Sequence, residues 1–232
     1  MRLHRFFIPA EAVQSGRIRL SDEALIKQIK NVLRLRPGDS AVFLDGSGKE
    51  YTAKLADMDR DMLTADIEAT AENRHEAELR ITLVQAMCKK DKFEWVLQKG
   101  TEAGIARFVP VLAARSEKLG LNRERAEKIL REAAEQSERG IVPELAEAQD
   151  FAEALASPGE KILLDESGDP VKTFHLPPSA LNLNVFVGPE GGWTEAELDS
   201  AKQAGAKIVS VGPRVLRTET AGLVIAAILL NR

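Results

Sequence analysis

The stretch that decides the fold is Val185-Phe186-Val187-Gly188-Pro189-Glu190-Gly191-Gly192-Trp193-Thr194-Glu195-Ala196-Glu197. A short apolar run breaks at Gly-Pro, two glycines follow, and a helix signal starts at once, because Thr194 and Glu197 have capping-box spacing. A second stretch has the same order: Ile208-Val209-Ser210-Val211, then Gly212-Pro213-Arg214-Val215-Leu216-Arg217, then Thr218-Glu219-Thr220-Ala221. Each reads as strand, loop, helix. Glycines at the carboxyl end of a strand let a ligand approach bare backbone, and in open α/β sheets ligands bind at that end. Two such loops on one sheet predict a single pocket lined mostly by main-chain groups. The same Gly-Pro and Gly-Gly pairs are compatible with tight turns alone.

Working outward, strands alternate with helices from residue 79 onward, the pattern of a mainly parallel α/β sheet. The strands are read at Leu79–Ala86, Ala106–Leu112, Lys161–Asp165, Asn184–Val187 and Lys207–Val211. Asp91–Ala103 is a helix presenting Phe93, Val96, Leu97 and Gly100 on one side. Asn122 caps a charged helix running to Arg139, which Gly140 can end. The last helix spans Thr218–Asn231; its stripe Leu223, Ala226, Ala227 and Leu230 reads as core that can double as an interface.

Upstream, residues 1–70 read as β-rich. Arg2–Ile8 is a strand, and Ser21 caps a short helix with Leu25, Ile29, Val32 and Leu33 on its apolar face. Ala41–Leu44 and Tyr51–Met58 flank the hairpin loop Asp45-Gly46-Ser47-Gly48, and Met62–Ile67 follows the turn at Asp59-Arg60-Asp61. Short strands at this spacing predict a small barrel. Residues 69–78 are polar without a core stripe, so the expected domains are 1–70 and 79–232, joined through a linker at 71–78.

The composition bounds the function. The hydrophobic fraction is 44%, ordinary for a chain that buries a core. Cys88 is the single cysteine, which precludes an internal disulfide and fits a reducing cytoplasm. The N-terminus lacks the apolar run and cleavage site of a signal peptide, and Leu223–Leu230 is too short to span a bilayer. The formal net charge of −4 does not by itself favour a nucleic-acid partner. Residues 1–36 are nonetheless basic, with Arg2, Arg5, Arg17, Arg19, Lys27, Lys30, Arg34 and Arg36 against Glu11, Asp22 and Glu23; Lys89, Lys90 and Lys92 form a second cluster. On charge alone both read first as solvated surface.

Familiar catalytic patterns are missing. His4, His75, His175 and Cys88 are scattered, with no metal-ligand spacing. No lysine follows a glycine loop as in a Walker A motif, the Gly188–Gly192 loop is not Gly-x-Gly-x-x-Gly, and no Gly-x-Ser-x-Gly elbow occurs. What remains is a backbone-lined pocket with carboxylates nearby. It suits a neutral or cationic ligand with a flat ring, and S-adenosylmethionine is such a ligand.

In order along the chain, several segments resemble the RsmE family of bacterial ribosomal small-subunit RNA methyltransferases, within the SPOUT superfamily. They are His4-Arg5-Phe6-Phe7, Val32-Leu33-Arg34-Leu35 with Gly38-Asp39 and Asp45-Gly46, the KKDKFEWVLQKGTEAG segment at 89–104, Glu135-Gln136-Ser137-Glu138-Arg139 with Pro143, Gly188–Gly192, and Leu216–Ala221. Two positions depart from the family pattern: Gln28 stands where a histidine is expected, and Ala103 where leucine is usual.

The resemblance implies a PUA-like β-barrel, RNA-binding, followed by a SPOUT α/β methyltransferase domain with a C-terminal trefoil knot, acting as a homodimer. It implies methyl transfer from S-adenosyl-L-methionine to N3 of a uridine in 16S rRNA of the small ribosomal subunit. The cofactor is then expected at Leu164, Val187, Gly188, Gly191, Gly192, Val211, Gly212, Leu216 and Thr218. Glu219 is the first candidate for the base that removes the N3 proton, and Glu190 the second. A carboxylate in the first turn is equally what a helix N-terminus favours. Arg217 and Arg214 are candidates to grip phosphate or uracil carbonyls, or to form salt bridges. Arg5, Arg34, Arg36, Lys89, Lys90 and Lys92 form the expected RNA track. Trp193 is a candidate to stack on a flipped base, while Trp95 reads as core. A non-catalytic RNA-binding dimer, and a methyltransferase acting on another RNA or base position, stay open as alternatives.

Overall fold

Two sheets account for the fold in a computed structural model of the protein, which describes residues 3–117, 120–177 and 181–231. They belong to two units: Met1–Glu76 with Ala134–Val142, and Ala77–Ala133 with Pro143–Arg232. Arg2, expected to open the first strand, lies outside the described residues.

The first unit contains β1 (Arg5–Phe7), β2 (Val13–Gln14), β3 (Arg17–Leu20), α1 (Glu23–Lys27), β4 (Ser40–Leu44), β5 (Lys49–Met58) and β6 (Leu63–Glu72). Its six strands are ordered β1-β4-β5-β6-β3-β2, antiparallel except for β1 beside β4. Register shifts between β5 and β6 at Thr52/Ala53 and Leu55/Asp57 bend this pair. Phe6, Ile18, Phe43, Leu55 and Leu63 fill the core. The β2–β3 hairpin was not anticipated. Its two-residue turn, Ser15 (φ 45°) and Gly16 (φ 82°), has the left-handed backbone that tight hairpins use.

Three expectations are corrected. Asp22, not Ser21, caps α1: its carboxylate accepts a hydrogen bond from the Leu25 amide at 3.0 Å, and Ile26 N bonds to Asp22 O, so the first turn begins one residue later. The helix then widens into a π-turn over Gln28–Val32, which carries Val32 off the core face and leaves it 71% exposed. Residues Ala69–Glu72 are not linker but strand, paired with Lys49–Thr52; most of their side chains face solvent, so no core stripe marks them.

The segment Ala134–Val142 is held in this unit by charge. Arg5 bridges Glu50 at 2.8 Å and Glu138 at 3.3 Å, and the Asn73 amide donates to Glu50 and to the Glu138 carbonyl. Arg139, buried, pairs with Glu76 at 2.7 Å. Gly140 lies against Asn73, where a Cβ would come within 2.6 Å of that side chain. Its absence of a side chain serves this contact, since the preceding helix already ends at Gln136.

The second unit continues the numbering: β7 (Arg80–Ala86), α2 (Lys90–Glu102), β8 (Arg107–Leu112), α3 (Arg123–Gln136), β9 (Glu144–Leu145), β10 (Gln149–Asp150), α4 (Phe151–Leu155), β11 (Glu160–Pro170), β12 (Asn182–Val187), α5 (Glu195–Gln203), β13 (Lys207–Ser210) and α6 (Thr218–Leu230). All its strand pairs are parallel, ordered β10-β8-β7-β12-β11-β13 with β9 also beside β8. Helices α4 and α5 cover one face, where Phe151 and Ala201 pack in one cluster with Phe186 of β12; α2 and α6 lie together on the other. Burial on both faces is why the central strands read as unbroken apolar runs. The core face of α6 is Gly222, Ile225, Ala226 and Leu229, one step round from the expected stripe; of that stripe only Ala226 is buried, and Ala227 is exposed. From β13 at the sheet edge the chain turns back to α6 beside β7 and β12, the return at which the resemblance places a knot. None of the described helices is long and apolar enough to cross a membrane.

Burial of the Glu50 carboxyl acts to raise its pKa, but hydrogen bonds from Arg5 and Asn73 outweigh that and hold it below 4.5. A depressed carboxyl stabilises the fold above its unfolded pKa, and that contribution is lost as pH falls through the folded value. Urea midpoints of the wild type are therefore expected to drop between about pH 5 and about pH 3. Glu50→Gln should be less stable at neutral pH and show a shallower acid decline.

Candidate active site

Strands β12, β11 and β13 are neighbours, so their carboxyl ends share one edge of the sheet. There a cavity of about 490 Å³ opens, within the range of small-molecule sites. Every residue expected to hold the cofactor lines it: Leu164, Val187, Gly188, Gly191, Gly192, Val211, Gly212, Leu216 and Thr218. Glu190, Arg214 and Arg217 line it too. Asp165, at the strand end expected to border the cofactor, and Glu166, not singled out from sequence, add two carboxylates where β11 bulges away from β13 between Leu164 and Asp169.

The loops are built from inside. Trp193 is 6% exposed, packs on Phe151 at 4.9 Å between ring centroids, and donates its indole N–H to the Leu164 carbonyl at 3.1 Å. It is the floor of the site, and its burial rules out the stacking role. Gly188 lies on this indole: a Cβ there would stand 3.0 Å from Trp193 Cε2. The capping box forms as read, with Thr194 and Glu197 exchanging hydrogen bonds, and the second Glu197 oxygen accepts from the Ala114 amide at 2.8 Å. Arg115 donates to the Gly191 carbonyl at 2.8 Å. Gly192 (φ 69°) and Gly212 (φ 137°) have left-handed backbone that favours glycine, and no atom lies within 4 Å of where a Cβ would be.

The two loops are tied by one hydroxyl. Thr218 Oγ donates to the Gly188 carbonyl at 2.5 Å and accepts from the Gln85 side-chain amide at 2.9 Å. Gln85 is wholly buried at the end of β7, opposite Val187. A lone amide at the end of an apolar strand was the available signal for it.

The charged candidates sit differently from expectation. Glu219 does not line the cavity; its Oε2 is buried and turned toward the Lys92 ammonium. Lys92 is 2.8 Å from Glu190 and 3.5 Å from Glu219, so one ammonium ties the two candidate bases together. That hydrogen bond holds the Glu190 carboxyl below its ordinary value and raises the Lys92 ammonium above its own. Lys92 thus faces carboxylates instead of joining an open phosphate track. Cys88, buried beneath, has its thiol pushed up to about 12, first by burial and then by Glu190 and Glu219. Arg217 is 80% exposed in its side chain and only 4.0 Å from Glu219.

Of the remaining basic candidates, Arg34, Arg36, Lys89 and Lys90 are exposed and make no ion pair among the described residues. Arg34 also has left-handed backbone (φ 58°). Arg5 is consumed by Glu50 and Glu138, with 13% of its side chain exposed, which argues against RNA contact. Trp95, read as core, is 40% exposed on α2.

Residues 75–230 match a family model described as an RNA methyltransferase domain, and 29–68 one described as an RNA methyltransferase PUA domain. The chain is 35% identical to ribosomal RNA small subunit methyltransferase E of Bacillus subtilis, across 85% of this chain and 84% of that one. It is 34% identical to the protein of the same name from Synechocystis, across 97% and 76%. The crystal structure of ribosomal RNA small subunit methyltransferase E from Neisseria gonorrhoeae, bound to S-adenosyl methionine, superposes with a TM-score of 0.90 at 32% identity, covering 99% of this chain and 98% of that one. Similarity that runs through both units and nearly end to end places this chain in the ribosomal RNA small subunit methyltransferase E family.

Proposed function

We propose that this protein methylates N3 of a uridine in 16S rRNA of the small ribosomal subunit, using S-adenosylmethionine, and works as a cytoplasmic homodimer. One observation carries the reading: the Gly188–Gly192 and Gly212–Thr218 loops and the end of β11 meet in a single cavity. The donor set fits the ligand. Main-chain groups of Val211, Leu216 and Thr218 suit an adenine edge, the open backbone at Gly192 and Gly212 admits a ribose, and Asp165, Glu166 and Glu190 offset a positive charge. When bound, S-adenosylmethionine supplies an electrophilic methyl carbon on a sulfonium.

The chain's own residues position and deprotonate. Trp193, Thr218 and Arg115 fix the loops before any ligand arrives, which lowers the cost of ordering them on binding. Glu219, at the first turn of α6 and beside Lys92, is the first candidate to take the uracil N3 proton. Glu190 is the second candidate. Arg214 and Arg217, which line the cavity, are candidates to meet uracil carbonyls or a flanking phosphate. Arg34 and Arg36 on one unit, with Lys89 and Lys90 on the other, supply phosphate contacts.

The deciding experiment is methylation of small subunits from a strain lacking the modification, with the position read by primer extension. The expected result is a single new stop at one uridine; no stop, or a stop at another base, refutes the assignment. S-adenosylhomocysteine at 100 times its Kd should stabilise the protein by about 2.7 kcal/mol in thermal unfolding. In Gly192→Val, where a β-branched residue is forced into left-handed backbone, that stabilisation should vanish while circular dichroism stays native. RNA affinity should fall steeply with salt, and replacing Arg34, Arg36, Lys89 or Lys90 by alanine should each reduce the log–log slope by about one. A flat dependence would refute these contacts.

A further inference from the structure

We propose that Lys92 is a further catalytic residue, the cation that neutralises first the paired carboxylates of the free site and then the uracil anion formed from the substrate. The inference rests on the methyltransferase reading above and adds a role to a side chain which that reading leaves as a structural tie.

The placement carries it. Lys92 projects from the first turns of α2 between the two loops that border the cavity, touching Glu190 on one and Glu219 at the start of the other's helix. Its side chain is 24% exposed, so the ammonium is neither sealed in the core nor free in water. The groups facing it are few: Glu190 from the loop after β12, Glu219 with the distant, exposed Arg217 from α6, Asp91 and Lys89 from its own segment, and the buried Cys88 below. Two carboxylates around one ammonium leave a net negative charge; Glu219 Oε2 is buried and faces the ammonium at 3.5 Å, which leaves Oε1 as the oxygen to take a proton.

The charges balance through the step. The proton on uracil N3 passes to Glu219, which becomes neutral, and the N–H electron pair stays on the ring, spread over N3 and the two carbonyl oxygens. Before transfer the site holds one ammonium and two carboxylates; after it, one ammonium, one carboxylate and the ring anion. The net charge is unchanged, and so is the need for a central cation. Protonation of Glu219 releases Lys92 from that partner as the new anion appears beside it. Glu190, with the shorter contact, stays ionised and holds the ammonium in place. The N3 pair then bonds to the methyl carbon while the carbon–sulfur pair leaves with sulfur as a neutral thioether. A preorganised cation stabilises developing charge without reorganising at the moment of reaction.

The test compares wild type, Lys92→Met and the charge-keeping Lys92→Arg, all as intact protein. Calorimetry with S-adenosylmethionine is expected to give affinities within about three-fold of one another, because the ammonium is not part of the cavity lining. Single-turnover methylation of small subunits should fall about 100-fold in Lys92→Met and recover in part in Lys92→Arg. The acid limb of the pH–rate profile should move to higher pH in Lys92→Met, since removing a cation weakens the ionised form of the carboxylate pair. Without any ligand, carboxyl carbon NMR should show the Glu190 midpoint raised in Lys92→Met. An unchanged rate with an unmoved acid limb overturns the role, as does a loss of cofactor affinity equal to the loss of rate, which would make Lys92 scaffold. If the wild type itself binds no S-adenosylmethionine and leaves small subunits unmethylated, the functional reading fails and this one with it.

Discussion

A single hydroxyl joins the two halves of the cleft. Thr218 begins α6, yet its side chain reaches the Gly188 carbonyl of the other loop, and the buried Gln85 amide steadies it from a third strand. Hydrogen bonds between groups this buried are costly to leave unmade. Each loop is rich in glycine and, alone, has little side-chain packing to hold it. The bond therefore turns two flexible turns into opposite walls of one cavity. Trp193 and Arg115 do the same for the Gly188–Gly192 loop from below and from outside, through the Leu164 and Gly191 carbonyls. The outcome is a site whose lining is largely main chain but whose rigidity comes from side chains facing away from the ligand.

That division explains what could be read from the sequence. The strand–glycine–helix order of residues 185–197 and 208–221 fixes the cleft, because glycine punctuation and capping spacing are local features. All nine expected cofactor residues consequently fall on one cavity. The supports are not local. Gln85, Arg115 and the second bond of Glu197 join residues 76 to 133 positions apart, and no spacing rule reports such pairs. The same holds for residues Ala134–Val142, which join the first unit through Glu138 and Arg139 although they begin with the last residues of α3, whose start belongs to the second.

The tryptophans were misread for a related reason. Adjacency in sequence to a glycine loop suggested that Trp193 faces the ligand, but the turn at Gly192 sends the chain the other way and the indole drops into the core formed with Phe151 and Phe186. Trp95 has the neighbours of a core residue, Phe93 and Val96, yet falls outside the buried face of α2 that they share with Leu97. Helical phase, more than proximity, decides these cases.

Charge tells the same story at larger scale. The formal net charge of −4 argues against an RNA partner only if every charge is equally available. It is not. Glu50, Glu76, Glu94 and Glu138 are each spent on an arginine, and Glu190 and Glu219 share Lys92. Acidic residues are thereby neutralised in pairs, while Arg34, Arg36, Lys89 and Lys90 point to solvent without such partners among the described residues. Over a screening length of about 8 Å at physiological salt, a phosphate senses those local cations and not the molecular sum. An acidic protein thus keeps unpaired cations exposed on each unit while most of the carboxylates named above are held in ion pairs.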